Sequence, residues 1–216
     1  AILCASLIRI FEKISHPMDK LILGIDVGTT NVKAILATPE GKVRAQATAT
    51  YALLTPRPGF VEQNAEDWWQ GVASVSRQVM AASGARPDQI AAIGISGQGA
   101  AGTLIDEAGK ALRPSIIWMD ARSEAESESM RQKGEARILE INGKSTAPYN
   151  MDPKLIWLQK HEPDVIRKAR CSLTTTGYIN FKLVGEPVMN VSDASIPFAF
   201  DQRGYDWSDE LIADFD

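Results

Sequence analysis

Cysteine is scarce. Cys4 and Cys171 are the only two in 216 residues, far apart and in no C-x-x-C spacing. That excludes a disulfide scaffold and gives no zinc or redox signature, so both read as ordinary thiols of a reducing compartment. A basic excess is missing as well: 23 Lys and Arg stand against 27 Asp and Glu, for a net charge of −4. A nucleic-acid partner held by general charge is therefore not expected. No apolar run reaches the ~20 residues that a membrane-spanning helix needs. The apolar start Ala1–Phe11, AILCASLIRIF, lacks a basic segment before it and a small-residue cleavage site after it, so it does not read as a signal peptide. Repeats and low-complexity tracts are absent. What remains, 44% hydrophobic and 23% charged, suits a cytoplasmic globular chain of one or two domains.

Met18 stands directly before DKLILGID, where a strand begins. It reads as the natural start, which makes 1–17 an upstream or non-native extension and 18–216 the domain proper. Leu21–Val27 (LILGIDV) is expected as a buried strand, Asn31–Thr38 as a second and Val43–Tyr51 as a third, joined by turns at GTT and PEGK. Asn64 caps a helix with Glu66 and Asp67 in its first turn. Trp68, Val72, Val75 and Val79 form its apolar stripe, and Gly84 and Pro87 end it. Ile90–Ile95 reads as another buried strand, followed by a loop, a strand at Thr103–Asp106 and one at Ser115–Met119. Helices are expected over 123–133, Lys154–His161 and Thr176–Leu183. The order predicts an α/β layer arrangement built on a mixed sheet.

The segment Gly24–Lys33, GIDVGTTNVK, carries the most chemistry. Asp26 ends a buried strand beside a turn. Gly28 can adopt positive φ and let the backbone approach a ligand. The N–H groups of Gly28, Thr29 and Thr30 could form a nest for phosphate oxygens, helped by two threonine hydroxyls. Asp26 could hold Mg²⁺ as a hard oxygen ligand, and Lys33 could return toward the phosphates. A plain hairpin turn with a surface aspartate fits the same residues. The segment is not a P-loop, since no GK[ST] follows, and not a Rossmann fingerprint, since a hairpin follows in place of a helix.

Further segments narrow the reading. Val61-Glu62-Gln63-Asn64 with Trp68-Trp69, Gly94-Ile95-Ser96-Gly97-Gln98, Trp118-Met119-Asp120-Ala121-Arg122, Pro148-Tyr149 with Lys154 and Trp157, Ser192-Asp193-Ala194-Ser195 and Trp207-Ser208 occur in that order. Together with the glycine turn they resemble the FGGY carbohydrate kinases of the actin, Hsp70 and sugar-kinase superfamily, from about residue 21 to 216. The resemblance implies a ribonuclease-H-like, actin-like ATPase domain and ATP-dependent phosphorylation of a sugar or polyol hydroxyl. It puts Asp26, Gly28, Thr29, Thr30 and Lys33 near the ATP phosphates and Mg²⁺. It puts Gln98, Gly99, Ala100, Trp118, Asp120, Arg122 and Tyr149 around the sugar. Paired donors and acceptors such as Gln98, Asp120 and Arg122 suit hydroxyl groups, and an aromatic face such as Trp118 suits the C–H side of a sugar. A core tryptophan, a local Asp120–Arg122 ion pair and a wall tyrosine are the structural alternatives. Trp68 and Trp69 read as structural, and Ser192 and Asp193 as a turn that caps local backbone.

Two departures from the family pattern stand out. Gln98-Gly99-Ala100-Ala101 fits neither the Q-M-H-G of xylulose-phosphorylating members nor the Q-R-E-T of glycerol members, and the two histidines, His16 and His161, lie elsewhere. Gly177-Tyr178 replaces a frequent Asp-Tyr and reads as a lost helix cap. The resemblance also puts the catalytic base, and the rest of the nucleotide site, in a C-terminal domain outside 1–216. No catalytic residue is therefore assigned within the chain, and 1–216 alone is expected to be inactive. A stand-alone, non-catalytic sugar-binding domain is the competing reading. The expected partners are a small sugar or polyol, ATP and the C-terminal domain; the sequence leaves a homo-oligomer open.

Overall fold

The computed structural model describes residues 20–214. The proposed extension 1–17, with Cys4 and His16, lies outside them. The described residues divide into two compact units, the first running to Thr50 and taking up Gln70–Ser96, the second comprising Tyr51–Trp69 and Gly97 onward.

The first unit is built on a hairpin meander. Strand β1 (Leu21–Val27) pairs antiparallel with β2 (Asn31–Ala37), and β2 pairs antiparallel with β3 (Val43–Thr50). Period-two alternation sends Leu23, Ile25, Val27, Val32, Ala34 and Leu36 to one buried face. Helix α1 (Ala65–Ser83) begins where Asn64 Oδ1 accepts the Glu66 N–H, so the expected N-cap forms. Its stripe of Trp68, Val72, Val75 and Val79 is buried throughout. After a 3₁₀ turn at Pro87–Gln89, strand β5 (Ile90–Gly97) completes a sheet of order β3-β2-β1-β5. The strand expected to be buried over Ile90–Ile95 is instead an edge strand, partly exposed along its length, with Ile93 open to solvent. An apolar run announces a strand but cannot report whether both of its faces are covered.

In the second unit β4 (Glu62–Gln63) pairs with β7 (Ser115–Ile116), and β6 (Thr103–Ile105) pairs with β8 (Cys171–Leu173). The strand expected over Ser115–Met119 stops at Ile116. The chain then turns, with the Asp120 N–H donating to Ile117 O. Helix α2 (Glu124–Ile141) runs well past the expected 133, with non-helical backbone at Gly134 inside it. Helix α3 (Met151–His161) starts three residues before the expected Lys154 and accepts Pro153 in its first turn, where no N–H is missed. Helices α4 (Pro163–Lys168), α5 (Thr175–Val184), α6 (Val191–Ala194) and α7 (Asp209–Asp214) follow, with a short hairpin of β9 (Phe200–Asp201) and β10 (Asp206–Trp207) before the last. The α5 cap is not lost: Thr174 Oγ1 accepts the Gly177 N–H at 3.1 Å. A Cβ at Gly177 would lie 3.1 Å from that same oxygen, so the glycine accommodates the cap. No described helix is long and apolar enough to cross a membrane.

Candidate functional site

In the first unit the β1–β2 turn holds the expected phosphate ligands. Asp26 and Lys33 are direct cross-strand partners, and both are exposed. One carboxylate and one ammonium thus flank the Gly28-Thr29-Thr30 turn. The Gly28 amide does not join a phosphate nest: it donates to Asn31 O at 3.0 Å and closes the hairpin. Nor is Gly28 among the residues with positive φ. Glycine is favoured there for another reason, since a Cβ would sit 3.2 Å from Asn31 O, a tight approach to backbone. Thr30 Oγ1 accepts from Asn31 Nδ2 at 3.1 Å, which orients that hydroxyl. Asp26 is the only acid in the hairpin. Among the described residues no group of three or more His, Cys, Asp or Glu gathers as a metal cage.

In the second unit the expected sugar residues sort into two levels. Trp118 is 46% exposed and Tyr149 53% exposed, so neither is a core aromatic. Asp120 and Arg122 lie beneath that surface. Asp120 Oδ2 accepts the Val61 N–H at 2.5 Å, and its Oδ1 accepts the Arg122 N–H and Nε at 2.9 Å each. Arg122 also donates to Asp120 Oδ2 at 2.8 Å and to Glu62 at 2.6 Å. Its guanidinium lies 3.9 Å from the Phe60 ring centre and 5.0 Å from that of Trp157. Burial opposes the Arg122 charge, but the hydrogen bonds to Asp120 and Glu62 outweigh it and hold the guanidinium above its ordinary range. The pair is a buried, doubly bonded ion pair, the alternative its sequence left open.

Glu62 and Gln63, adjacent on β4, point to opposite faces as a strand requires. Glu62 binds Arg122 and Arg113. Gln63 Oε1 accepts both Trp68 Nε1 at 3.2 Å and Gln98 Nε2 at 2.7 Å. This explains the Glu-Gln…Trp-Trp segment in physical terms: it is a polar strut. Sequence reading missed its role, although a polar dipeptide next to a buried tryptophan was the available signal. Gln98 is anchored by that bond, and its Oε1 is buried with no partner among the described residues. Gly99 faces Ile196, whose Cδ1 would meet a Cβ at 3.3 Å. Ala100 is 8% exposed and adopts φ +53°, a left-handed conformation uncommon for a residue with a side chain. The small loop therefore turns inward at Ala100 and Ala101.

Three segments are tied together here. Ser123 Oγ donates to Pro148 O at 3.1 Å, joining the Trp118–Arg122 turn to Tyr149. The Gly102 N–H donates to Ile116 O at 3.1 Å, joining the Gln98–Ala101 loop to the strand before Trp118. Lys154 bridges that loop to Tyr149 from below. The turn expected at Ser192 and Asp193 is instead helix α6, capped by Asn190, and the Asp193 carboxylate accepts from the side chains of Thr174, Thr176 and Asn190 rather than from backbone.

Residues 21–216 match the model of the FGGY family of carbohydrate kinases, N-terminal domain. The chain is 34% identical over 193 residues to a xylulose kinase of Klebsiella pneumoniae, covering 89% of this chain and 39% of that protein. It is 33% identical over 205 residues to a glycerol kinase of a Janthinobacterium strain, covering 92% and 41%. The crystal structure of a xylulose kinase from Rhodospirillum rubrum superposes with a TM-score of 0.85 at 27% identity, over 90% of this chain and 40% of that one. The chain thus spans about two fifths of the length of the relatives it matches.

Proposed function

This chain belongs to the FGGY family of carbohydrate kinases, and from that premise we propose that it supplies the phosphate hairpin and the sugar wall of an ATP-dependent phosphotransferase acting on a sugar or polyol hydroxyl. The observation that carries the reading is the pairing of exposure with rigidity. Trp118 and Tyr149 face solvent, while the Trp118–Arg122 turn, the Pro148–Tyr149 segment and the Ala100 loop are held by buried and part-buried polar bonds. Exposed aromatic faces held this firmly suit the C–H surface of a sugar. Gln98 lies in the loop that Lys154 ties to Tyr149, and its buried Oε1 is an unspent acceptor for a hydroxyl group. Asp120 and Arg122 serve the pocket by fixing the turn that presents Trp118.

On the hairpin, Thr29, Thr30 and Lys33 would orient the phosphates, with Gly28 shaping the turn. A lone exposed carboxylate suits Mg²⁺, which keeps several waters and shares phosphate oxygens, better than it suits a metal needing a full protein cage. Asp26 would hold it, and the ion would supply charge neutralisation for the transferring phosphoryl group. Phosphoryl transfer also needs a group to take the hydroxyl proton. Asp120 is two residues from Trp118 in sequence, but its acceptors are engaged. We read 18–216 as the N-terminal domain and expect the base in a C-terminal domain not included in 1–216.

A coupled ADP-release assay tests this. Purified 1–216 is expected to show no sugar-dependent turnover, and turnover would place a base within it. In a chain extended to the relatives' length, Asp26→Ala is expected to lower turnover by about 10² or more, the scale seen when a key electrostatic group is removed. Near-wild-type turnover would remove Asp26 from the metal role.

A further inference from the structure

Beneath the aromatic wall lies a lysine that the chemistry above leaves unused. Lys154 stands in the first turn of α3 and is 1% exposed. Lysines are almost never buried so deeply unless paired, yet no carboxylate forms an ion pair with this one among the described residues. Its Nζ donates instead to two backbone carbonyls, Ala100 O at 3.0 Å and Tyr149 O at 2.6 Å. Asp120 and Arg122 are the charged groups that face it, the first favouring its charge and the second opposing it. The two carbonyls belong to the two loops that border the aromatic wall, and one of them sits on the left-handed Ala100. A side-chain-bearing residue in that conformation persists where its surroundings hold it.

We propose that Lys154 is a positioning residue that clamps the Gln98–Ala101 loop to the Tyr149 segment and so sets the spacing across the sugar pocket. The proposal rests on the sugar-site reading for its consequence, while the clamp itself is a property of the chain as it stands. Two bonds from one nitrogen fix both loops relative to α3. The same small loop departs from both the xylulose and the glycerol patterns, so its position has to be set by the backbone, and Lys154 holds that backbone at Ala100.

Amide hydrogen exchange on 1–216 tests it, with Lys154→Met keeping the stem and removing the donors. Gly102 and Asn150 report on the two loops, since their N–H groups donate to Ile116 O at 3.1 Å and Ala147 O at 3.0 Å. Protection at both is expected to fall about tenfold or more, while β1–β2 amides stay within about twofold. Unchanged protection at both in folded Lys154→Met would overturn the clamp. Should that variant fail to fold, Lys154→Arg decides, because it keeps two donors: retained protection supports the clamp and loss at both amides overturns it. D-xylulose and glycerol are titrated in parallel as probes, with affinity for the one that binds expected to fall about tenfold in Lys154→Met. Wild-type affinity in that variant would overturn the clamp's role in the pocket. If neither probe binds the wild-type chain while the exchange result holds, the clamp stands and the sugar reading fails.

Discussion

Arg122 shows how a residue can matter to a site without touching its ligand. Its side chain is about 1% exposed and is bonded to two carboxylates, Asp120 and Glu62. Removing one partner of such a cluster leaves the others buried and uncompensated. Arg122→Leu is therefore expected to destabilise the fold by about 3–5 kcal/mol in urea or thermal unfolding. A loss below about 1 kcal/mol would mean the carboxylates rehydrate freely. Lys154 gives a pH signature of the opposite kind. Burial pushes it down to about 7, with Arg122 adding to the effect and Asp120 opposing it. Between that value and the ordinary lysine value near 10.5, the unfolded chain binds a proton that the folded chain does not. Stability from this group therefore rises as pH climbs from 7 toward 10. Unfolding free energies across that window should show the rise in wild type and its loss in Lys154→Met.

At the scale of elements, the sequence was readable where periodicity or capping is strong. The β1–β2–β3 meander and α1 carry clean period-two and period-3.6 patterns, and each formed where those patterns place it. The two-residue strands β4, β9 and β10 are too short to hold any period, so nothing announced them, and β7 was announced only as the start of a longer strand. Helix α2 was underestimated because Gly134 interrupts it and its surface is mostly polar; its continuation is fixed by packing of Met130, Ile138, Phe198 and Leu211. The site divides along the same line. Residue types at Trp118 and Tyr149 were legible, but whether Asp120 and Arg122 faced a ligand or the interior depended on Glu62, sixty residues away from Arg122. Long-range pairing of that sort leaves no local trace. Helix α5 offers a test at this scale. Thr174 Oγ1 caps the Gly177 N–H and also donates to Asp193. Thr174→Val is expected to cost about 1–2 kcal/mol, the upper range for a cap, in thermal unfolding. Ser in its place should retain most of the stability.

On the scale of the whole molecule, two compact units carry two different chemistries. The first unit carries a turn flanked by Asp26 and Lys33, and the larger unit carries the exposed aromatics Trp118 and Tyr149. The chain belongs to the FGGY family of carbohydrate kinases, and we propose phosphate binding for the first unit and sugar binding for the second. The sugar wall is the part that the chain can be asked about directly. Isothermal titration of 1–216 and its Trp118→Ala variant with a panel of ketopentoses and polyols, D-xylulose and glycerol included, addresses it. At least one member is expected to bind the wild-type chain, and Trp118→Ala is expected to weaken that binding about tenfold or more, as befits an aromatic stacking face. Binding that is indifferent to Trp118, or no binding across the panel, would contradict the assignment of this surface to a sugar.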